Sequence, residues 1–484
     1  MIRLDLSRSL SAGERYGLDT LLDLARVVQI EDPAADVVRV RVRDDAADDD
    51  IASASWTPAI GDGEIILSAK SLAFVVDVTG MSAEQHASQV DRFGRVRSVD
   101  NPLVTRRLER EPVVSHGAVA LRQAIVKAAG RRATRFATPW PNGRRWAAAF
   151  THDLDVVALW PVFTALRLLE LAKKKEAKRM LQVASAAVGA VGRAPVWRAV
   201  AELLAIEARH GIASTWFVLC GAPSTASFRR GDLTYDPDSP AATRILRAVR
   251  EAGHEIGLHG SFATVDDPHA FVSQRAHLAR IVGAEIPGVR QHFLRMRLGD
   301  TQNAMKAAGF DYDATLGFPD RNGFRLGVAD VVEGWDASAG RANGLAEIPF
   351  TWMDRSLSKY RGVEDPAEWG ADAIALADTV RAVEGCWVGI WHPNLAAPLG
   401  FPGAPAAWDH VVSEIVAREP FVGTLSTIVG WRRARRSARA IGVSAAGVVD
   451  ARASGGTSFP LALEHGDGRP AEQVVFESDR RAAE

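Results

Sequence analysis

From Trp146 onward, short apolar runs alternate with longer stretches of helical period. The runs are WAAAFTHD (146–153), STWFVLCG (214–221), HEIGLHG (254–260), GVRQHFL (288–294), YDATLGF (312–318), LAEIPFTW (345–352), CWVGIWHP (386–393) and FVGTLSTI (421–428). Between several of them, stretches such as Pro240–Ala252 and His269–Val282 place apolar residues three and four apart, the spacing of an amphipathic helix. Strands alternating with helices predict βα units and a mostly parallel sheet, an α/β fold. Eight such strands suit a barrel better than a small open sheet, and in such barrels chemistry gathers at the C-terminal ends of the strands.

The flanks read differently. Val38–Val42 alternates apolar and polar residues in the manner of a half-buried strand, and Ile65–Val78 reads as more strand. The acidic run Asp44–Asp50 between them reads as a solvated loop. Leu121–Ala128 reads as a short helix leading to the turn Pro139-Trp140-Pro141-Asn142-Gly143. That turn sets the first boundary: an N-terminal α+β module over 1–140, a (β/α) barrel over 141–435, and a linker with a C-terminal tail over 436–484. The tail is expected to form a hairpin around His465-Gly466-Asp467-Gly468, and Arg432–Arg439 to be a helix end. A helical insert of about 161–209 interrupts the barrel. Within it Arg167, Lys173, Lys174, Lys175, Lys178, Arg179, Arg193 and Arg198 face only Glu170 and Glu176. A solvated basic face is the simpler reading; peripheral docking on an anionic lipid headgroup, glycan or partner is the other.

Composition narrows the function. Apolar residues make up 47% and charged residues 24% of the 484, which excludes wholesale disorder and a fibrous repeat. Lys and Arg (58) nearly cancel Asp and Glu (59), so the basic excess of a nucleic-acid binder is missing and no nucleic-acid partner is expected. Two cysteines, Cys220 and Cys386, cannot make a disulfide framework or a Cys-rich zinc module, which fits a reducing compartment. The N-terminal MIRLDLSRSL lacks the apolar core of a secretory signal, and no uncharged apolar run reaches about 18 residues. A cytoplasmic protein without a transmembrane segment is expected.

Four strand ends carry candidate chemistry. In Thr151-His152-Asp153-Leu154-Asp155 both carboxylates share one face of a strand. Two adjacent carboxylates repel unless a cation compensates, so the pair reads either as a solvated turn or as a metal ligand beside a general base. In His254–Ser261, His259 falls at the strand end before a glycine turn and suits a metal, whereas His254 reads as structural. In Gly288–Leu294, Arg290 and His292 share a face: the arginine could hold one carboxylate ionised, and the histidine could complete a His₂-carboxylate site with an open position for water. In Gly389–Asn394, His392 reads equally as a packed residue or a general acid. Trp391, Phe262 and Trp352 are candidate apolar walls for a substrate or simply core. Asp313, Arg321 and Arg325 of YDATLGFPDRNGFRLG either line the cleft or serve turns and ion pairs.

The order and spacing of these motifs resemble the polysaccharide deacetylase superfamily (NodB homology, carbohydrate esterase family 4), over about residues 145–430. Thr151-His152-Asp153-Leu154-Asp155 is similar to the first family motif, Gly253-His254-Glu255-Ile256-Gly257-Leu258-His259 to the second, Arg290 to the Arg-centred third, and Ile390-Trp391-His392 to the last. THDLD, HEIGLHGS and GVRQHFLR together resemble a bacterial subgroup of it. The resemblance implies a distorted (β/α)₇ TIM-like barrel and a divalent metal, zinc first, with cobalt, nickel or manganese as alternatives. It implies Asp153 as general base, Asp155 and His259 as ligands, Arg290 as the tether of the base and His392 as general acid. The implied activity is removal of N-acetyl or O-acyl groups from an amino-sugar glycan or glycoconjugate, with hydrolysis of a small cyclic amide as the alternative within the superfamily. One departure stands out. The second family histidine would fall at position 263, which is Ala263 here. Either His292 supplies the missing nitrogen, as expected, or the site is degraded and the chain is a non-catalytic glycan-binding protein. His269 is a poorer substitute.

Overall fold

The computed structural model describes the chain apart from residues 5, 7, 33, 34, 36, 45–49, 54, 55, 62, 131, 133, 158, 159, 222–224, 226–233, 456 and 477–484. Most of the acidic run expected as a loop thus lies outside the described residues. The central sheet has a parallel core that runs Arg341–Glu347, Tyr312–Asp313, Gly288–Gln291, Glu255–Gly260, Thr215–Leu219, Ala147–Leu154, Cys386–Ile390 and Trp352–Met353. Val332–Asp336 caps one edge in antiparallel register, and Phe421–Val422 pairs with Ala147 and Ala148. Among the described residues no ladder joins the Arg341–Glu347 strand to Trp352–Met353, so the sheet curls into a barrel that stays open. Every residue of Ala147–Leu154 is buried, as are those of Thr215–Leu219 and Cys386–Ile390. Strands covered on both faces carry continuous apolar runs, which is why these segments do not alternate in sequence.

Helices cover the outside. Pro240–Glu251 starts at Ser239, whose hydroxyl accepts from Ala242 N–H, and has proline in its first turn. His269–Val282 stops at Gly283, at φ 67°, a left-handed position that glycine adopts without cost. The insert is three helices, Trp160–Lys173, Ala177–Ala190 and Pro195–His210. The third buries Ala199, Val200, Leu203 and Ile206 against the barrel.

The two flanks form one unit. An eight-stranded sheet joins Ile2–Leu4, Gln29–Ile30, Val38–Arg43, Ala59–Gly61 and Glu64–Ser68 to Arg439–Val443, Val449–Ala453 and Val475–Phe476. The seam is the parallel pairing of Arg439 with Gln29 and Ala440 with Ile30. A third, small sheet sets Arg135–Ala137 against Ala462–His465, which pairs with Pro470–Gln473 across the His465–Gly468 turn. The hairpin expected around His465-Gly466-Asp467-Gly468 is present, but the stretch from 436 to it, expected as linker, forms strands. Their small residues Ala440, Ala451 and Ala453 are the buried face of strands. A second correction concerns Ile65–Val78: the strand ends at Ser68, whose hydroxyl accepts from Lys70 N–H and opens the helix Ala69–Thr79. The apolar residues of this stretch run past Ser68 into the helix, and the Ser68 cap that divides it is a single polar residue. The helix sought at Leu121–Ala128 is longer, Val113–Ala129.

A buried ion cluster fastens this unit to the barrel. Arg432, on the helix Leu425–Ser437, holds Asp23 of the N-terminal helix Ala12–Leu24 through two contacts of 2.9 and 3.2 Å, and Asp330 at 2.8 Å. Arg436 adds a third contact to Asp23 at 2.8 Å. Burial pushes the Asp23 carboxyl up, but Arg432, Arg436 and Arg435 outweigh it and hold Asp23 well below the usual carboxylate range. Two members of the arginine cluster, Arg432 and Arg435, are therefore interior residues joining the two units.

Candidate metal centre

Three donors meet at the C-terminal ends of three parallel strands, two of them neighbours and the third separated from these by Thr215–Leu219. Asp155 lies just past Ala147–Leu154, His259 near the end of Glu255–Gly260, and His292 directly after Gly288–Gln291. One ligand atom from each falls within 4.8 Å of the others. Asp155 Oδ1 is 3.3 Å from His259 Nε2 and 3.7 Å from His292 Nε2, yet it is buried with no hydrogen-bond partner. A buried carboxylate oxygen left bare between two imidazoles fits a cation there better than any contact within the protein.

The imidazoles are set up for that role. His259 Nδ1 donates to Arg290 O at 2.8 Å, which leaves the Nε2 lone pair facing Asp155. His292 heads a tight turn in which Phe293 and Leu294 adopt φ of 60° and 56°. Left-handed backbone at two bulky residues is costly, and such strain concentrates at functional sites. The His292 ring stacks on Phe293 with centroids 4.1 Å apart. One carboxylate and two imidazoles with an open side suit a divalent cation of the zinc type. Ala263 lies in the short turn Phe262–Val265, and exposed His269 is not among the three donors.

Two further pairs flank the donors. Asp153 Oδ1 accepts from Arg290 Nη1 at 2.7 Å; the same nitrogen donates to Thr151 Oγ1 at 2.9 Å, and Arg290 Nε donates to Ala314 O at 2.9 Å. The guanidinium carbon sits 4.3 Å from the centre of the Phe217 ring. Burial works to raise the Asp153 carboxyl, but Arg290, with His259 and His392, holds it below the ordinary value. Asp155 is likewise held low: burial raises it, and the contact with His259 and the His292 and His392 charges lower it further than burial lifts it. On the other side, His392 Nδ1 donates to Asp354 Oδ1 at 2.7 Å and His392 N–H donates to Asp354 Oδ2 at 2.6 Å. That leaves His392 Nε2 3.7 Å from Asp155 Oδ2. Burial disfavours the charged ring, but Asp354, Asp155 and Asp153 raise its pKa overall.

The sequence reading missed Asp354, although a carboxylate ending the apolar stretch PFTWMD was a visible signal. It also missed the basic mouth of the cleft. Arg95 reaches in from the N-terminal module, donating to Phe293 O and to Tyr360 Oη at 3.1 Å each while Asp91 holds its Nε at 2.7 Å. Phe93 stacks on Phe293 with centroids 4.8 Å apart. Lys359 Nζ lies 5.5 Å from the Phe93 and Tyr360 ring centres, and no ion pair engages it or Arg355 among the described residues. Partial burial, with Arg355 and Arg95 close by, pushes the Lys359 ammonium down to about 8.

Of the six candidate substrate contacts, Phe262 packs edge-on against Phe293 with ring centroids 6.1 Å apart, and the other five are not in this cleft. Trp391 is buried and stacks with Trp352 and Trp408, its ring centre 5.0 Å from that of Trp408, in the core and not beside His392 in the cleft. Trp352 is core for the same reason. Arg325 is buried in an ion pair with Glu84 and donates to Gly317 O at 3.0 Å. Asp313 is buried beside Glu347, accepts from Thr315 N–H at 2.9 Å, and burial pushes both carboxyls up. Arg321 is tied to Asp320 at 3.2 Å.

Fold and geometry thus define an open α/β barrel with an Asp-His-His donor cluster, able to hold a cation, at its strand ends. No protein-family model matches the chain, and no curated protein sequence matches it. Solved structures do. A Mycobacterium smegmatis protein named as a polysaccharide deacetylase aligns at 24% identity over 61% of this chain and 93% of its own, with a TM-score of 0.42. Puue allantoinase aligns at 16% identity over 62% and 94%, with a TM-score of 0.41. A Pseudomonas aeruginosa PAO1 protein named as a polysaccharide deacetylase aligns at 14% over 62% and 95%, with a TM-score of 0.39.

Proposed function

We propose that the chain is a metal-dependent hydrolase that removes N-acetyl, or O-acyl, groups from an amino-sugar glycan or glycoconjugate. The observation that carries this reading is the bare Asp155 Oδ1 between the Nε2 atoms of His259 and His292, flanked by an ionised carboxylate on one side and a carboxylate-oriented imidazole on the other. Asp155, His259 and His292 would hold the cation, which supplies Lewis acidity next to the acyl group; two nitrogens and one oxygen favour zinc, with cobalt, nickel or manganese as alternatives.

The remaining chemistry belongs to the protein. Arg290 keeps Asp153 ionised and pointed into the cleft, so Asp153 takes the proton of the attacking water. Asp354 fixes the His392 Nδ1–H, so the proton on Nε2 faces the site and passes to the leaving amine. The raised pKa of His392 keeps that proton available near neutrality. Arg95, Arg355 and Lys359 give the mouth a cationic character that suits a substrate carrying a carboxylate or phosphate beside its acylamino group.

The test is metal content together with acetate release from N-acetylated amino sugars. The purified chain should hold about one divalent ion per site, lose activity on chelation and regain it with zinc. His292→Ala should lose metal and activity together, whereas Asp153→Asn should keep the metal and lose about 10²–10⁴ in turnover. A chain that takes up no added zinc, or an Asp153→Asn variant with full turnover, refutes the assignment.

A further inference from the structure

The insert helices have their faces the wrong way round for a hairpin that meets only water. On Trp160–Lys173, Thr164, Arg167 and Leu171 are buried, while Val162, Leu166 and Leu169 are 44%, 55% and 61% exposed. On Ala177–Ala190 and just after it, Leu181, Val188 and Val191 are 72%, 76% and 70% exposed. Spacings of three, four and seven residues put Val162, Leu166 and Leu169 on one face of the first helix, and seven residues put Leu181 and Val188 on one face of the second, with Val191 just past its end. Apolar stripes turned outward on neighbouring helices mark an interaction surface, unlike isolated exposed side chains.

Charge indicates what covers them. Among the basic residues of the insert, Arg167 and Lys174 are held by Glu170 and Glu364. Exposed Lys173, Lys175, Lys178, Arg193 and Arg198 have no ion pair among the described residues, and the first three lie on or between the two helices that carry the stripes. Leu and Val facing outward with unpaired cations alongside are what the surface of an anionic bilayer attracts: the side chains enter the headgroup region and the cations meet lipid phosphate. Among the described residues no helix is long and apolar enough to cross a membrane, and the contact argued here is peripheral.

Position ties the surface to the cleft. The hairpin begins five residues after Asp155, at the same end of the barrel as the metal donors. Its inner face is pinned to the loops there: Thr164 Oγ1 donates to Pro398 O at 2.9 Å, and Arg167 meets Glu364, close in sequence to Lys359. We propose that the outward face of Trp160–Val191 docks the protein on an anionic lipid surface, with the C-terminal end of the barrel next to the membrane. This rests on the hairpin alone and stands whether or not the cleft hydrolyses an amide.

The experiment is cosedimentation of the full chain with phosphatidylglycerol or phosphatidylcholine vesicles at low and high salt. Binding is expected to phosphatidylglycerol, with salt weakening it. Replacing Lys173, Lys175 and Lys178 by Gln should cost about fivefold in partition for each lysine removed, while Arg at the same positions retains it. Leu166→Ser with Leu169→Ser and Leu181→Ser should abolish it with thermal stability unchanged, since all three side chains are exposed. The proposal is overturned if the chain stays in the supernatant with phosphatidylglycerol, if the serine variant binds as before, or if the stripes instead hold a dimer that the serine variant splits and vesicles do not displace.

Discussion

Asp354→Asn isolates the contribution of the carboxylate behind His392. Both Asp354 oxygens accept from His392, at 2.7 Å from Nδ1 and 2.6 Å from the backbone N–H, and the residue is fully buried. Asparagine has the same shape but only one acceptor. If its oxygen keeps the backbone N–H, its NH₂ faces Nδ1, which must then accept, and the neutral ring carries its proton on Nε2 by a different tautomer with no negative charge behind it. A hydrogen bond to a charged group is worth about 1.5–3 kcal/mol, and each 1.4 kcal/mol is a factor of ten, so the weakened imidazolium alone costs about 10–150-fold in turnover. Loss of the whole general-acid contribution sets the outer limit at about 10⁴. The pH dependence gives the sharper readout. His392 acts while protonated, so activity falls as pH rises through its pKa. Asp354 raises that pKa, so removing the charge must move the alkaline limb to lower pH. Metal content should not change, because His392 is outside the three-donor set. Acetate release measured across pH, with metal analysis of both proteins, decides it: an unmoved limb with near-normal turnover would refute the role given to His392.

Two other perturbations read different parts of the molecule. Lys359→Met should narrow the preference for an anionic over a neutral N-acetyl sugar by about tenfold in kcat/KM at low salt, a value between an exposed ion pair and a charged hydrogen bond; an unchanged ratio removes the cationic mouth from substrate selection. Asp23→Ala leaves Arg432 and Arg436 short of a buried partner and should cost about 3–5 kcal/mol in urea unfolding. Because Asp23 is depressed in the folded state, its contribution is present above the unfolded carboxyl value of about 3.9 and is lost as pH falls through the folded value, so acid should destabilise the wild type more steeply than the variant. Equal stability and equal acid sensitivity would show that the cluster does not fasten the two units.

The sequence exposed those site residues that sit on a strand and follow its two-residue period. Asp153, Arg290 and His392 each end or adjoin a short apolar run, so their gathering at one end of the barrel is legible in the pattern of the chain alone. Asp354 could not be paired with His392 that way. The pairing depends on the register that puts Trp352 opposite Gly389 and Met353 opposite Ile390, and register is a property of two strands. Trp391, open in sequence as a cleft wall or as core, is core: it stacks on Trp352 and Trp408, partners that only the folded chain brings to it. Arg95 was out of reach for another reason. It comes to Phe293 and Tyr360 from a module whose position is set by packing, with nothing in the local pattern around Val90–Val96 to announce it. The stretch expected as linker was misread because alanine and glycine suit a linker in composition, and only the pairing partners reveal that Ala440, Ala451 and Ala453 are core.

These partners change what the first 140 residues are. The sheet holding them takes three strands from the end of the chain, and Gln29–Ile30, paired with Ile2–Leu4 on one side, gains its second neighbour from Arg439–Val443. The same unit is fixed to the barrel by Asp23, on the side where Leu425–Ser437 returns the chain to that sheet. Arg95 and Phe93 therefore reach the cleft from a body braced twice, once by the ladder and once by the buried ions. A wall anchored this way keeps Arg95 at a fixed distance from Phe293, the residue whose strained turn aims His292 at Asp155. The N-terminal module is then a component of the site, and the metal donors, the basic mouth and the far end of the chain form one connected set of contacts.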